Sequence, residues 1–177
     1  MTYSKPEAAA VADLIPQLRL GYVGALLLLV LMNEEPATDW FLNYLRNPEV
    51  RLSRRRGEDY TLDVPAAVQA VRSSGAFNLS VMQVPLGAAL VRLGDALSRH
   101  DYFDHAPILE FVRHLRNGVS HGNRFLIRPG EPRRPAHFRD LAITPALNGS
   151  PVLFDFLETG DCIDVLDAVE AHLRALS

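Results

Sequence analysis

Residues 107–123 read PILEFVRHLRNGVSHGN, and this stretch carries the strongest helical pattern of the chain. Pro107 fits the first turn of a helix, where its missing N–H leaves no hydrogen bond unmade. Apolar residues then recur at helical spacing on one side of the stretch: Ile108, Phe111 or Val112, Leu115 and Val119. Gly122 and Asn123 both tolerate the left-handed backbone conformation, so the helix is expected to end there. The stretch predicts an amphipathic helix with a buried stripe and a polar side.

Similar patterns predict helices in the rest of the chain. They are expected at residues 6–32, 38–45, 64–72, 85–97 and 161–176. Pro16 either kinks the first of these helices or marks a second start. Thr38, Asp63, Pro85 and Asp161 mark the beginnings of the other four. The spacing of apolar residues therefore favours a bundle of helices.

One turn signal interrupts this helical pattern. Asn148 followed by Gly149 favours a hairpin turn, and residues 141–144 and 152–157 are its expected strands. Residues 47–60, which include a cluster of arginines, are interpreted as an exposed loop. The expected fold class is all-α (mainly α), with a single domain over residues 1–177. It is a helical bundle with a small β-hairpin before the C-terminal helix.

The most apolar stretch, Leu18–Met32, is interpreted as a buried core helix. Its uninterrupted apolar run, residues 25–32, is much shorter than the about 20 residues of a membrane span. Acidic residues precede this stretch and no small-residue cleavage pattern follows it, which argues against a signal peptide. Cys162 is the only cysteine, so no intrachain disulfide can form. We therefore expect a cytoplasmic protein with no membrane partner.

Charge is distributed unevenly along the chain. The net charge of −3 argues against a protein that coats nucleic acid along its whole surface. Residues 111–139, however, contain seven Arg and one acid, whereas residues 155–177 contain six acids and one Arg. This arrangement is typical of local anion binding. The alternative is that a GC-rich genome favours Arg and that these charged faces are merely solvated.

Three polar residues fall at the end of the helix predicted from residue 107. Arg116 and His121 are separated by four residues, and Asn117 directly follows the Arg. At about 100° per residue, Asn117 and His121 lie about 40° apart on the helix, with His114 on the same side. The spacing alone is weak evidence for a functional site, because Arg99 and His105 form a comparable pair in an expected loop. Position at the end of an amphipathic helix distinguishes the first pair.

Residues 111–123, FVRHLRNGVSHGN, resemble the signature helix of HEPN domains. That family is all-α and is marked by an Arg, a polar residue that is often Asn, three further residues and a His. The resemblance is specific over about 15 residues and implies a HEPN-like helical fold. Many HEPN proteins are metal-independent endoribonucleases that act as homodimers, with their two motifs facing each other. Others have lost activity and serve as binding or scaffold modules.

What the resemblance implies for this chain is an endoribonuclease with Arg116, His121 and Asn117 as catalytic residues. His is well suited to proton transfer near neutral pH, and Arg offers a permanently charged fork of donors to a phosphoryl group. Asn117 can position the phosphate or orient His121 without carrying charge. Neighbouring cationic residues are assigned to RNA binding: Arg113, His114, Arg124 and Arg128. Neither a metal nor another cofactor is expected.

The same resemblance suggests a toxin or defence component with RNA, a second copy of the chain, and an antitoxin or partner protein as its partners. One toxin subgroup has a Tyr two places after the His, where this chain has Asn123.

Each of the three catalytic residues also has a purely structural alternative. In these alternatives His121 interacts with helix carbonyls, Arg116 pairs with Glu110 or the acidic final helix, and Asn117 satisfies a backbone group at the helix end. Two other functions stay open, a non-catalytic helical module that dimerises and a small-molecule enzyme.

Overall fold

The computed structural model describes residues 4–44, 48–73 and 75–177, and helices dominate these ranges. Its helices are α1 (Lys5–Asn33), α2 (Glu35–Tyr44), α3 (Val64–Ser73), α4 (Gly75–Ser98), α5 (Pro107–Ser120) and α6 (Thr159–Leu176). Its strands are β1 (Glu49–Leu52), β2 (Tyr60–Asp63), β3 (His137–Phe138) and β4 (Leu141–Ala142). The expected mainly α fold class is therefore confirmed.

The chain divides into two compact units. Unit 1 comprises Met1–Tyr22 and Val84–Ser177, and unit 2 comprises Val23–Gln83. Helices α1 and α4 each supply residues to both units. The single domain over residues 1–177 stays a prediction.

The core of unit 1 is built from apolar faces of α4, α5 and α6. The buried stripe predicted for α5 is confirmed at Phe111, Val112 and Leu115, whereas Ile108 and Val119 are half-buried. All four leucines at helical spacing in α4 are fully buried: Leu86, Leu90, Leu93 and Leu97. Burial of such side chains contributes about 1.5–3 kcal/mol each, so these faces hold the three helices together.

Two helix beginnings differ from the sequence predictions. Helix α4 begins at Gly75 and contains Pro85, so this proline lies within the helix and not at its start. The backbone hydrogen bond that proline removes is one of many in a helix of 24 residues. Helix α6 begins at Thr159, and Asp161 lies in its first turn. The Asp161 carboxylate accepts the backbone N–H of Glu158 at 3.0 Å, so it still satisfies a donor at the start of this helix.

The hairpin before α6 lies at other residues than expected. Strand β3 pairs with β4 in antiparallel register, His137 opposite Ala142 and Phe138 opposite Leu141. The expected strands 141–144 and 152–157 do not pair with each other. A short 3-10 helix, Pro145–Leu147, precedes the turn at Asn148, whose side-chain oxygen accepts the Ile127 N–H at 2.9 Å. Asn148 therefore joins two loops instead of forming a hairpin turn.

Unit 2 contains a second hairpin that the sequence did not indicate. Strands β1 and β2 pair in antiparallel register, with Glu49 opposite Asp63 and Leu52 opposite Tyr60. Strand β1 and Tyr60 lie in the segment expected to be a loop, and all five of these residues are exposed, as expected for it. The helix predicted at residues 38–45 begins earlier, at Glu35, and its last residue, Leu45, lies outside the described residues. The Thr38 hydroxyl, expected as its cap, instead donates to the Met32 carbonyl at 2.9 Å.

The second half of helix α1 is far more exposed than a core helix. In the stretch Leu18–Met32 only Tyr22 and Leu29 are buried, while Leu27, Leu28 and Leu31 are 58%, 61% and 53% exposed. The prediction of a buried core helix is therefore wrong for this stretch. Among the described residues α1 is the one helix long and apolar enough to cross a membrane, by length and composition alone.

Candidate active site

The C-terminal end of α5 is fixed by backbone hydrogen bonds. The His121 N–H donates to the carbonyls of Asn117 and Gly118, both at 3.1 Å. Gly122 and Asn123 then adopt positive φ values of 76° and 61°, which confirms the predicted end of the helix. The Asn123 side chain also bonds both backbone groups of Leu153, at 2.8 and 3.2 Å. These bonds fix the direction in which the chain continues after α5.

Two glycines, Gly118 and Gly94, allow close packing around the C-terminal end of α5. A Cβ at Gly118 would lie 2.6 Å from a methyl group of Val152. A Cβ at Gly94 on α4 would collide with the Cβ and Cγ of Arg116. Gly118 therefore allows Val152 to pack against α5, and Gly94 allows the Arg116 side chain to cross α4.

Arg116 forms an ion pair with Asp95 of α4. Its Nε and Nη2 atoms donate to the same Asp95 carboxylate oxygen at 2.9 and 2.5 Å. The two side chains are 37% and 43% exposed. The alternative in which Arg116 forms an ion pair is therefore confirmed, but its partner is neither Glu110 nor the acidic final helix, because the path over Gly94 brings Arg116 to α4.

Five of the predicted site residues line one polar cleft of about 200 Å³, which we call the first cleft. Its lining consists of Tyr102, Arg113, His114, Arg116, Asn117, Arg128 and Glu131. Two predicted catalytic residues and three predicted RNA-binding residues are thus brought together. The Asn117 amide donates to the Leu126 carbonyl at 3.2 Å, which ties α5 to the loop that follows it.

Two predicted site residues lie outside the first cleft. His121 is exposed at the C-terminal cap of α5, about 6 Å further along the helix axis than Asn117 by the rise of an α-helix. The Arg124 guanidinium donates to the Gly149 carbonyl at 2.7 Å. Arg124 therefore joins two loops and does not line the first cleft. Its assignment to RNA binding stays a prediction.

Burial sets the protonation of two cleft residues. His114 is 5% exposed, and its pKa is lowered first by burial and then by the neighbouring Arg113 cation. Its Nε2 lies 3.5 Å from a guanidinium nitrogen of Arg113. Burial likewise raises the pKa of Tyr102, which is 8% exposed. Near pH 7 the cleft therefore contains a neutral imidazole and a protonated phenol.

Sequence reasoning missed two cleft residues, Tyr102 and Glu131. Tyr102 lies in the loop of the Arg99–His105 pair and has a positive φ of 54°, which no local pattern indicates. Glu131 is the one acid beside the seven arginines of residues 111–139, and this exception in the sequence could have identified it as a candidate site residue. Its carboxylate accepts the backbone N–H of Arg128 at 3.1 Å, so it shapes the loop that brings Arg128 to the cleft.

The acidic final helix neutralises cations elsewhere in unit 1. Arg139 pairs with Asp164 and Arg19 with Asp167, both on α6. Within the described ranges, no three His, Cys, Asp or Glu side chains are grouped so that they could hold a metal ion. The first cleft is lined by three arginines and one acid, Glu131.

Comparison of the chain with family models, curated proteins and solved structures returns no match.

Proposed function

We propose that this protein is a metal-independent endoribonuclease of the HEPN type, and that RNA binds in the first cleft. The observation that carries this proposal is the convergence of Arg113, Arg116 and Arg128 on one open cleft together with Asn117. Guanidinium groups offer paired donors to phosphate oxygens, so three of them around a small cleft suit a nucleic acid backbone. His121 lies at the end of the same helix and supplies proton transfer.

The ion pair of Arg116 is compatible with this role. An exposed ion pair contributes about 0–1 kcal/mol, because water screens both charges. An RNA phosphodiester, whose single negative charge is shared by two non-bridging oxygens, can therefore displace Asp95 from Arg116 when RNA enters. In the proposed state Arg116 donates to the phosphoryl oxygens on which charge accumulates, and Asn117 orients the phosphate.

The proposed reaction is a transesterification that needs no metal. The 2′-hydroxyl oxygen attacks the phosphorus while its proton passes to a base, and the bond from phosphorus to the 5′-oxygen breaks as that oxygen takes up a proton. The products are a 2′,3′-cyclic phosphate and a 5′-hydroxyl. We assign one of the two proton transfers to His121, which is exposed and so accessible to a strand that leaves the cleft.

Cleavage of a labelled mixed-sequence RNA in the presence of EDTA tests the proposal. We expect His121→Ala to lower the rate about 100-fold or more, since general acid–base catalysis contributes that much. Arg116→Ala is expected to lower it by a similar factor, because it removes a donor to the developing charge. His137→Ala, a histidine on β3 that does not line the first cleft, is the matched control and is expected to leave the rate unchanged.

Equal cleavage by wild type and His121→Ala would contradict the assignment of His121. Absence of cleavage by folded wild type, across several RNAs, would instead support a second candidate, a non-catalytic helical module that binds a protein or nucleic acid. The ion pair between Arg116 and Asp95 favours this alternative, as does the position of His121 outside the cleft. RNA binding without cleavage would be its expected result.

We further propose that the protein acts as a cytoplasmic homodimer, as a toxin or defence component with an antitoxin or other protein partner. Unit 2 supports dimerisation through an apolar surface formed by Leu28, Leu31, Trp40, Phe41 and Tyr44. Four of these side chains line one apolar groove, and Trp40 stacks on Tyr44 with ring centroids 5.3 Å apart. Exposed apolar residues that adjoin in this way mark interaction sites.

Sedimentation of the protein without detergent tests the dimer. We expect a dimer that Trp40→Ala weakens about 30-fold or more, because a buried Trp at an interface contributes about 2 kcal/mol or more. Leu126→Ala, which removes an exposed leucine of unit 1, is the control. A monomer at every concentration, or binding to lipid vesicles through this surface, would contradict the proposal.

A further inference from the structure

A second polar cleft shares a wall with the first cleft. It has a volume of about 290 Å³ and is lined by Asp101, Tyr102, His105, Glu110, Arg113, Arg133 and Arg134. Tyr102 and Arg113 belong to both linings, so the two clefts adjoin at these side chains. None of the residues that are found only in the second cleft was predicted as a site residue from the sequence.

A buried carboxylate holds the second cleft together. Glu110 is 1% exposed and contacts one histidine and two arginines. Its carboxylate oxygens lie 2.8 Å from His105 Nδ1, 2.8 Å from Arg113 Nε and 3.5 Å from Arg134 Nη1. These partners come from the loop before α5, from α5 itself and from the loop after it. A buried carboxylate is stable only with such partners, so these three side chains are held around Glu110.

The same contact directs Arg113 to both clefts. Its Nε faces Glu110 in the second cleft, while its Nη2 reaches towards His114 of the first cleft. A ligand that bonds the outer nitrogens of this guanidinium can therefore extend from one cleft into the other.

Two further arginines of the second cleft are open to a ligand. In the part of the chain that the structure describes, Arg133 makes no ion pair, and its side chain is exposed. Arg134 is 50% exposed and contacts Glu110 through one nitrogen only. Three arginines face two carboxylates here, and Asp101 lies 3.6 Å from His105. The balance of charge therefore favours an anion.

We propose that the second cleft binds a phosphate of the same RNA strand, next to the phosphate held in the first cleft. Arg133 and Arg134 contact this second phosphate, and Arg113 lies between the two. The inference rests on the proposed function, because it takes RNA as the ligand. It adds that the protein prefers a strand with at least two consecutive internucleotide phosphates over a dinucleotide.

Fluorescence anisotropy with the His121→Ala variant, which leaves the RNA intact, tests this inference. The probes are a labelled dinucleotide with one internucleotide phosphate and a longer labelled single strand, each titrated at several salt concentrations. With Arg133→Ala and Arg134→Ala added, we expect the longer strand to bind about tenfold more weakly. The slope of log affinity against log salt is expected to fall by about 0.7, the value for one phosphate contact on a single strand. Binding of the dinucleotide is expected to stay unchanged.

Arg55→Ala with Arg56→Ala is the matched control, because it removes the same charge from exposed positions of unit 2. Equal weakening by both double variants, or an unchanged longer-strand affinity in the Arg133 and Arg134 variant, would overturn the second phosphate site while RNA binding itself stands. Failure of the starting His121→Ala variant to bind any RNA would overturn the proposed function as well. If the double variant melts at a lower temperature, Arg133→Ala alone carries the test, since Arg133 has no ion pair to lose among the described residues.

Discussion

Unit 1 and unit 2 use apolar side chains in opposite ways. In unit 1 the leucines of α4, α5 and α6 are almost completely enclosed, and Leu93, Leu115 and Leu166 have no exposed area. In unit 2 the longest apolar run, residues 25–32, is largely exposed, with Leu28 61% exposed, and Trp40 of α2 is 65% exposed. Unit 1 thus derives its stability from its own core, whereas unit 2 leaves an apolar surface in water, which the proposed dimer would cover.

The largest expected difference between the units is in the free energy of unfolding after a leucine is replaced by alanine. Leu115→Ala removes a fully buried side chain of α5 and is expected to lower the free energy of unfolding by about 2–5 kcal/mol. Leu28→Ala is expected to change it by about 0.5 kcal/mol or less, because that side chain is already largely in water. Denaturant unfolding at a low concentration, where the protein is monomeric, measures both values. Equal losses would mean that unit 2 buries Leu28 within the monomer.

Two glycines give a second contrast between packed and open backbone. Gly118→Ala places a Cβ against Val152 and is expected to lower the free energy of unfolding by about 1–3 kcal/mol. Gly24→Ala, in the part of α1 that belongs to unit 2, meets no atom within 4 Å. It is expected to stabilise the protein by about 0.5–1 kcal/mol, since alanine is the better helix former. Thermal unfolding monitored by circular dichroism measures the stability of both variants. Stabilisation by both substitutions would contradict the close packing around Gly118.

The smallest expected effect concerns the pH dependence of unit 1. The pKa of His114 is lowered in the folded protein by burial and by Arg113, so between its ordinary and its folded pKa the unfolded chain binds the extra proton. The free energy of unfolding therefore decreases as the pH falls below about 6.5, the ordinary pKa of histidine. His114→Gln is expected to reduce this decrease, because glutamine does not titrate. Parallel denaturant curves at several pH values measure it, and the same slope in both proteins would show that His114 titrates normally.

The sequence predicted the local features of α5 well because periodicity and chain-end signals are local. The stripe with Phe111 and Leu115 is confirmed, and so is the stop at Gly122 and Asn123. The convergence of Arg113, Asn117 and Arg128 on one cleft agrees with the segment that the sequence singled out. Residues on one side of a helix share a surface, so a helical wheel can anticipate that Arg113 and Asn117 adjoin, whereas Arg128 reaches the cleft from the loop after α5.

The misses arose where distant segments decide the structure. Apolar composition does not distinguish a core helix from an exposed one, so the exposure of Leu27 and Leu28 was not visible in the sequence. The partner of Arg116 is Asp95, 21 residues earlier, and it depends on the close approach allowed by Gly94. Asn148 resembles a hairpin residue, but its hydrogen bond to Ile127 joins two loops. None of these contacts has a local signature.

Cleavage of an RNA strand and of its all-deoxy counterpart, in EDTA, tests the central claim most directly. If the 2′-hydroxyl is the nucleophile, the RNA is cleaved to products with a 2′,3′-cyclic phosphate, and the deoxy strand is bound through its phosphates but stays intact. Cleavage of the deoxy strand, or RNA products that end in a 3′-hydroxyl, would contradict the proposed chemistry of the first cleft.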